Sequence, residues 1–230
     1  MRSSFALVLT LALTAFAAPT STVPDEAIAV DEVTAVTEVI AIDESVAVDA
    51  SIASDVFIQA CADVTVYFAR GTSESGTIGT SVGPHFQTAL QNALGGKSLE
   101  FVGVPYPATV GGFLAGGDAG GATTMANYVT DKANACPSTK IVISGFSQGA
   151  QVTHLAAGKL SAAIQNRVNA AVVFGDPKNG QPFAGVISSR SITFCHTGDY
   201  ICTGGILITP QHSNYAQDVG AAAAFVKARV

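Results

Sequence analysis

The chain has 230 residues, of which 48% are hydrophobic and only 12% charged, with a formal net charge of −6. It carries no basic cluster, which argues against a nucleic-acid partner. It has no C-x-x-C or H-E-x-x-H spacing, so no metal and no other cofactor is expected.

Residues 1–17, MRSSFALVLTLALTAFA, combine one arginine, an apolar run and Ala15-x-Ala17, the layout of a secretory signal peptide cleaved after Ala17. The apolar run is shorter than the roughly 18–20 residues a membrane span needs. No later stretch is long enough either, so a secreted, extracellular protein without a transmembrane anchor is expected. Residues 18–55 differ in composition: acidic residues recur among Val, Ala and Ile, without lysine, arginine, aromatic residues or glycine. Such a stretch reads as a disordered pro-segment or leader, with a docked helix as the other reading. Nine of the 17 acidic residues lie there, leaving 10 basic against 8 acidic from residue 56 onward. The net charge therefore misdescribes the part that folds. Residues 56–230 are enough for one packed domain, expected to be a monomer.

That domain opens with the β-branched run VTVYFAR (64–70), followed by a helical pattern over 82–94. LEFVGVPY (99–106), a helix over 120–134, KIVISGF (140–146) and a helix over 148–164 follow. NAAVVFGD (169–176), SITFCHT (191–197) and a last helix over 216–228 complete the series. Near-continuous hydrophobicity predicts strands buried on both faces. The alternation with helices predicts an α/β fold, a three-layer α/β/α sandwich around a five-stranded parallel sheet. Ligands of such sheets gather at the carboxyl ends of the strands, and every motif singled out below follows a strand.

The third strand runs into Gly145-Phe146-Ser147-Gln148-Gly149, and Val152, Leu155, Ala156, Leu160 and Ala163 then recur at helical spacing. Chance supplies a lone G-x-S-x-G readily, but strand, sharp turn and helix together are the setting of a nucleophile elbow. A Cβ at 145 or 149 would collide as the backbone folds back, and Ser147 falls at a helix start where N–H groups are unpaired.

A serine hydroxyl needs an adjacent base. His154 lies two turns along the elbow helix and cannot fold back, while His85 and His196 read as surface or packing residues. His212, in TPQHSNY, is the histidine that follows a later strand and its acid, in the chain order serine, acid, histidine. Two aspartates end strands between them. Asp199 is preferred because the acid usually sits two strands beyond the nucleophile; Asp176, paired with Pro177 in a turn-like setting, is the second candidate. For the oxyanion, the Gln148 N–H is one donor, and Thr72, in ARGTSESG after the first strand, offers a second.

The four cysteines, Cys61, Cys136, Cys195 and Cys202, allow three pairings in an exported protein. Cys195 and Cys202 are close enough for a local clasp around Asp199, which leaves Cys61 for Cys136.

FARGTSESGTIGTSVGP, CPSTKIVISGFSQGAQ, CHTGDYICTGG and HSNY, in this order, resemble the fungal cutinases and their serine-esterase relatives. The resemblance spans roughly residues 61–230. It implies a lid-less α/β-hydrolase with Ser147, Asp199 and His212 as triad, Thr72 and Gln148 at the oxyanion hole, and the disulfide pairing just given. It also implies an ester substrate, cutin polyester or short-to-medium acyl esters. The sequence departs from that pattern at Thr72, where a serine is common, and in PATVGGFLAGGDAGG, where those enzymes tend to carry a supporting asparagine. Phe113 and Leu114, with Ile206, Leu207 and Ile208, could form an apolar rim for an acyl chain. An acetylxylan esterase-like enzyme of the same fold is the alternative function, and a non-catalytic lipid- or host-surface-binding protein a more distant one.

Overall fold

The computed structural model describes residues 61–230; the expected signal peptide and leader lie outside the described residues. Five strands, β1 (Val64–Ala69), β2 (Leu99–Gly103), β3 (Lys140–Phe146), β4 (Val168–Phe174) and β5 (Ser191–Phe194), pair in the order β2-β1-β3-β4-β5. All four pairings are parallel. β1 is buried throughout, and β3 everywhere but at Lys140. The edge strands β2 and β5 are only partly buried, as expected where one side has no neighbour.

On one face lie α1 (Gly83–Ala93) and α6 (Val219–Lys227), which close over Phe68, Phe86, Leu90 and Phe174. On the other lie α3 (Ala119–Ala135) and α4 (Gln148–Lys159), which cover Met125, Val129, Ile141 and Ile143. The three-layer arrangement is the one the apolar runs predict. No helix among the described residues is long and apolar enough to cross a membrane.

β3 ends where its apolar run does, and the other four strands end sooner than theirs. β1 stops at Ala69, and the Arg70 carbonyl accepts from the Tyr106 hydroxyl instead of from a neighbouring strand. β2 stops at Gly103, just before Val-Pro-Tyr-Pro, whose prolines have no N–H to give to a ladder. The helix expected over 148–164 breaks at Leu160, which is extended; Ser161 then caps the short α5 (Ala162–Gln165), accepting from Ile164 N. A five-residue helix, α2 (Val110–Leu114), stands in a glycine-containing stretch to which the sequence reading assigns no element. The Thr109 hydroxyl caps it by accepting from Gly112 N at 3.1 Å.

Two disulfides brace the domain. Cys61–Cys136 ties the chain ahead of β1 to the end of α3 across 75 residues, and Cys195–Cys202 closes a loop after β5. By chain-entropy reckoning the first contributes about 4 kcal/mol and the second less.

Strand order reverses between β1 and β3, so their carboxyl ends flank a crevice. The backbone there is packed without slack. A Cβ on Gly145 would lie 2.2 Å from the Gly149 carbonyl oxygen, and one on Gly149 would lie 1.9 Å from that of Ala69. Gly149→Ala is therefore expected to lower stability by about 3 kcal/mol or more, read by chemical denaturation. A variant with wild-type stability would show that the turn has room to spare.

Candidate active site

Ser147 joins β3 to α4 at φ 55° and ψ −119°, a backbone conformation rare for a residue with a Cβ. Strain of this kind costs on the order of 1–3 kcal/mol and persists only where neighbours hold it. Here Ser147 N donates to the Phe174 carbonyl at the end of β4, and Ala150 N donates to the Ser147 carbonyl, both at 2.9 Å. The side chain is thereby lifted above the ends of β3 and β4.

His212 reaches it from the loop beyond β5, its ring stacked on Phe146 at 5.1 Å between centroids. Nε2 lies 2.9 Å from Ser147 Oγ, and Nδ1 lies 2.8 Å from Asp199 Oδ2. A carboxylate only accepts, so Nδ1 carries the proton and Nε2 is left to accept from the serine hydroxyl. Asp199 is fixed from two further directions: Ile201 N donates to Oδ1 at 2.9 Å, and the Tyr215 hydroxyl donates to Oδ2 at 2.6 Å. Ser147, Asp199 and His212 are 5%, 2% and 3% exposed, so their hydrogen bonds compete with little water.

Thr72 and Gln148 meet beside the serine. The Gln148 side-chain amide donates to Thr72 Oγ1 at 2.9 Å and to the Thr109 carbonyl at 2.7 Å. With its oxygen accepting from Gln148, the Thr72 hydroxyl has its own proton to give elsewhere. The Gln148 backbone N–H, at the first position of α4, has no partner within its helix. The loop carrying Thr72 is braced by Glu74. Its carboxylate accepts from Gly71 N at 2.6 Å, Thr80 N at 3.0 Å and Ser81 N at 2.9 Å. Arg70 binds the Glu74 carbonyl at 2.7 Å and the Tyr106 carbonyl at 2.8 Å.

Ser147 and His212 open into a crevice of about 480 Å3, walled by Val110, Phe113, Leu114, Phe146, Ile206 and Ile208. Leu207 is exposed on the same loop without lining it. Phe113 and Leu114 ride on α2, which buries none of its residues and is tied down at one end by Gln148. Gln151 ties the other, its amide donating to the Phe113 carbonyl at 3.3 Å.

The second candidate acid is engaged elsewhere. Asp176 Oδ2 lies 2.9 Å from His154 Nε2, whose ring stacks on Phe183 at 3.8 Å, and Asp176 Oδ1 accepts from Lys178 N at 2.8 Å. His196 packs face-on against Tyr215. Neither Tyr215 nor Glu74 stands out in the sequence. Tyr215 does close the HSNY motif, and Glu74 lies two residues beyond Thr72, but only their contacts give them a role.

Five parallel strands in this order, with a strand–serine–helix turn at the reversal, make the fold an α/β-hydrolase sandwich. The chain belongs to the Cutinase family, whose model matches residues 60–230. It is 55% identical over 169 residues to the cutinase of Botryotinia fuckeliana, covering 74% of this chain and 84% of that protein. Among solved structures it is similar to a Trichoderma reesei cutinase in complex with a phosphonate inhibitor. There the identity is 47% and the TM-score 0.70, over 72% of this chain and 75% of that one. It is also similar to the catalytic core of the Trichoderma reesei acetyl xylan esterase, at 25% identity and a TM-score of 0.59, over 74% of this chain and 100% of that one. The chain is a carboxylic ester hydrolase.

Three buried phenols, of which Tyr215 touches the site, give the fold a pH limit. Burial is the largest cause raising Tyr67, Tyr106 and Tyr215 well above the ordinary tyrosine value, reinforced for Tyr215 by its bond to Asp199. Above about pH 10 the unfolded chain releases these protons while the folded one keeps them. Stability is therefore expected to hold level up to about pH 10 and to fall steeply beyond. Phenolate absorbance and circular dichroism, followed together, should show the three ionising only as the fold opens. Absorbance from all five tyrosines appearing before any loss of structure would contradict this.

Proposed function

We propose that the chain is a secreted serine esterase that cleaves cutin polyester and short-to-medium acyl esters through an acyl-enzyme on Ser147. The observation that carries this reading is the hydrogen-bonded line Ser147–His212–Asp199, with steps of 2.9 and 2.8 Å, at the floor of an open apolar crevice. His212 takes the proton of Ser147 as the hydroxyl oxygen attacks the ester carbonyl, and Asp199 steadies the imidazolium. The Thr72 hydroxyl and the Gln148 N–H receive the oxyanion; a single such donor is worth about 10²–10³ in rate. His212 then protonates the leaving alcohol, and water repeats the steps on the acyl-enzyme.

The crevice mouth supports an apolar, polymeric substrate. Val110, Leu114, Ile206, Leu207 and Ile208 are between 58% and 72% exposed, an arrangement folding alone does not favour. The named cutinases among its relatives support the same reading. Export is supported by the signal-like residues 1–17 and by two disulfides, which persist in oxidising compartments. Residues 18–55 are then a leader to the catalytic domain.

Ser147→Ala is expected to lower kcat by about 10⁴-fold or more while the protein stays folded. On p-nitrophenyl esters, butyrate and hexanoate should react at least as fast as acetate. Turnover confined to acetate would assign the enzyme to the carbohydrate-directed esterases instead. N-terminal sequencing of protein from the medium is expected to begin at residue 18 or beyond.

A further inference from the structure

We propose that Tyr215 is a positioning residue for the reaction, aiming the Asp199 carboxylate at His212, and that a second histidine–aspartate pair, His196 with Asp218, clamps the tyrosine in place. The proposal rests on the triad reading given above.

Tyr215 is fully buried, and its hydroxyl donates to Asp199 Oδ2 at 2.6 Å. That is the oxygen to which His212 Nδ1 donates at 2.8 Å, so phenol and imidazole share one acceptor. The phenol oxygen itself accepts from His196 N at 3.0 Å. This contact occupies the oxygen and leaves the hydroxyl proton for the carboxylate. With the phenol pushed upward by burial, that proton is retained across the working pH range.

The ring is gripped on its face. His196 stacks on Tyr215 at 4.1 Å between centroids and 20° between planes. The His196 ring is in turn pinned at both nitrogens, Nδ1 lying 3.0 Å from the Gln211 carbonyl and Nε2 2.6 Å from Asp218 Oδ2. Gln211 immediately precedes His212, so the clamp also holds the loop that carries the base. The titratable groups around the phenol are Asp199, His212, His196 and Asp218.

A carboxylate that loses a hydrogen-bond donor holds its charge more tightly localised and attracts the neighbouring imidazolium more strongly. Tyr215→Phe removes only the hydroxyl. It is expected to lower kcat on the order of tenfold with KM unchanged. It should also move the acid limb of the kcat/KM profile, which reports His212 in the free enzyme, to higher pH. A purely structural tyrosine would reduce the amount of active enzyme and leave the limb where it was. Fluorotyrosine placed at 215 makes a stronger donor of the same shape and should move the limb to lower pH; it carries the test if Tyr215→Phe does not fold. Ser147→Ala is assayed alongside. If it is inert while Tyr215→Phe keeps wild-type kcat and limb, or fluorotyrosine leaves the limb unmoved, this proposal is overturned alone. If Ser147→Ala stays active, the triad reading fails and this one with it.

Discussion

The approach of α4 to the end of β1 governs the carboxyl edge of the sheet. Gly149 lies so close to the Ala69 carbonyl that no side chain fits between them, and this contact fixes where the helix begins. Everything chemical follows from that start. Ser147 is forced into its strained turn, and Gln148 is brought against the loop that leaves β1. Its side chain then links Thr72 to Thr109. One close backbone contact thus assembles the proposed nucleophile, a helix start rich in free N–H groups and an orienting amide. The cost in backbone strain is absorbed by the surrounding hydrogen bonds rather than by the serine.

Polar groups on this edge are arranged in layers, each fixing the one nearer the crevice. Glu74 gathers three backbone N–H groups and so shapes the Thr72 loop. The Cys195–Cys202 bridge closes the loop that carries Asp199, Ile201 N and Tyr215 hold its carboxylate, and Phe146 backs the imidazole. His154 and Asp176 form a second buried pair farther along the elbow helix, tying the turn after β4 to α4. Buried ionisable groups are tolerated here because nearly all of them have partners. Among the described residues two buried acceptors, Gln148 Oε1 and Gln151 Oε1, lack one, and both belong to side chains that hold α2.

Much of this was legible in the sequence because burial leaves a periodic trace. The five apolar runs locate the five strands, since a strand covered on both faces has almost no polar positions to spare. Most of their ends were overestimated because hydrophobicity continues into residues such as Tyr106, which is buried without extending the strand and gives its hydroxyl to the Arg70 carbonyl. That Ser147, Asp199 and His212 meet could be anticipated from their order and from the strands they follow. Tyr215 and Glu74 could not, because their work is done through hydrogen bonds to partners that no spacing rule connects. α2 was missed for a different reason: two glycines in five residues lower helix propensity, and a threonine cap and two glutamine amides compensate for it.

The exposed rim has a consequence for how the protein meets a surface. Its two segments, Val110–Leu114 and Ile206–Ile208, contain no charged side chain. Contact made through them is governed by water released from apolar area, and so is insensitive to ionic strength, which screens only charges. Raising salt would leave that adhesion intact while weakening any charged surface that competes for the protein. Warming from low temperature would strengthen it, and its signature in calorimetry would be a negative heat-capacity change.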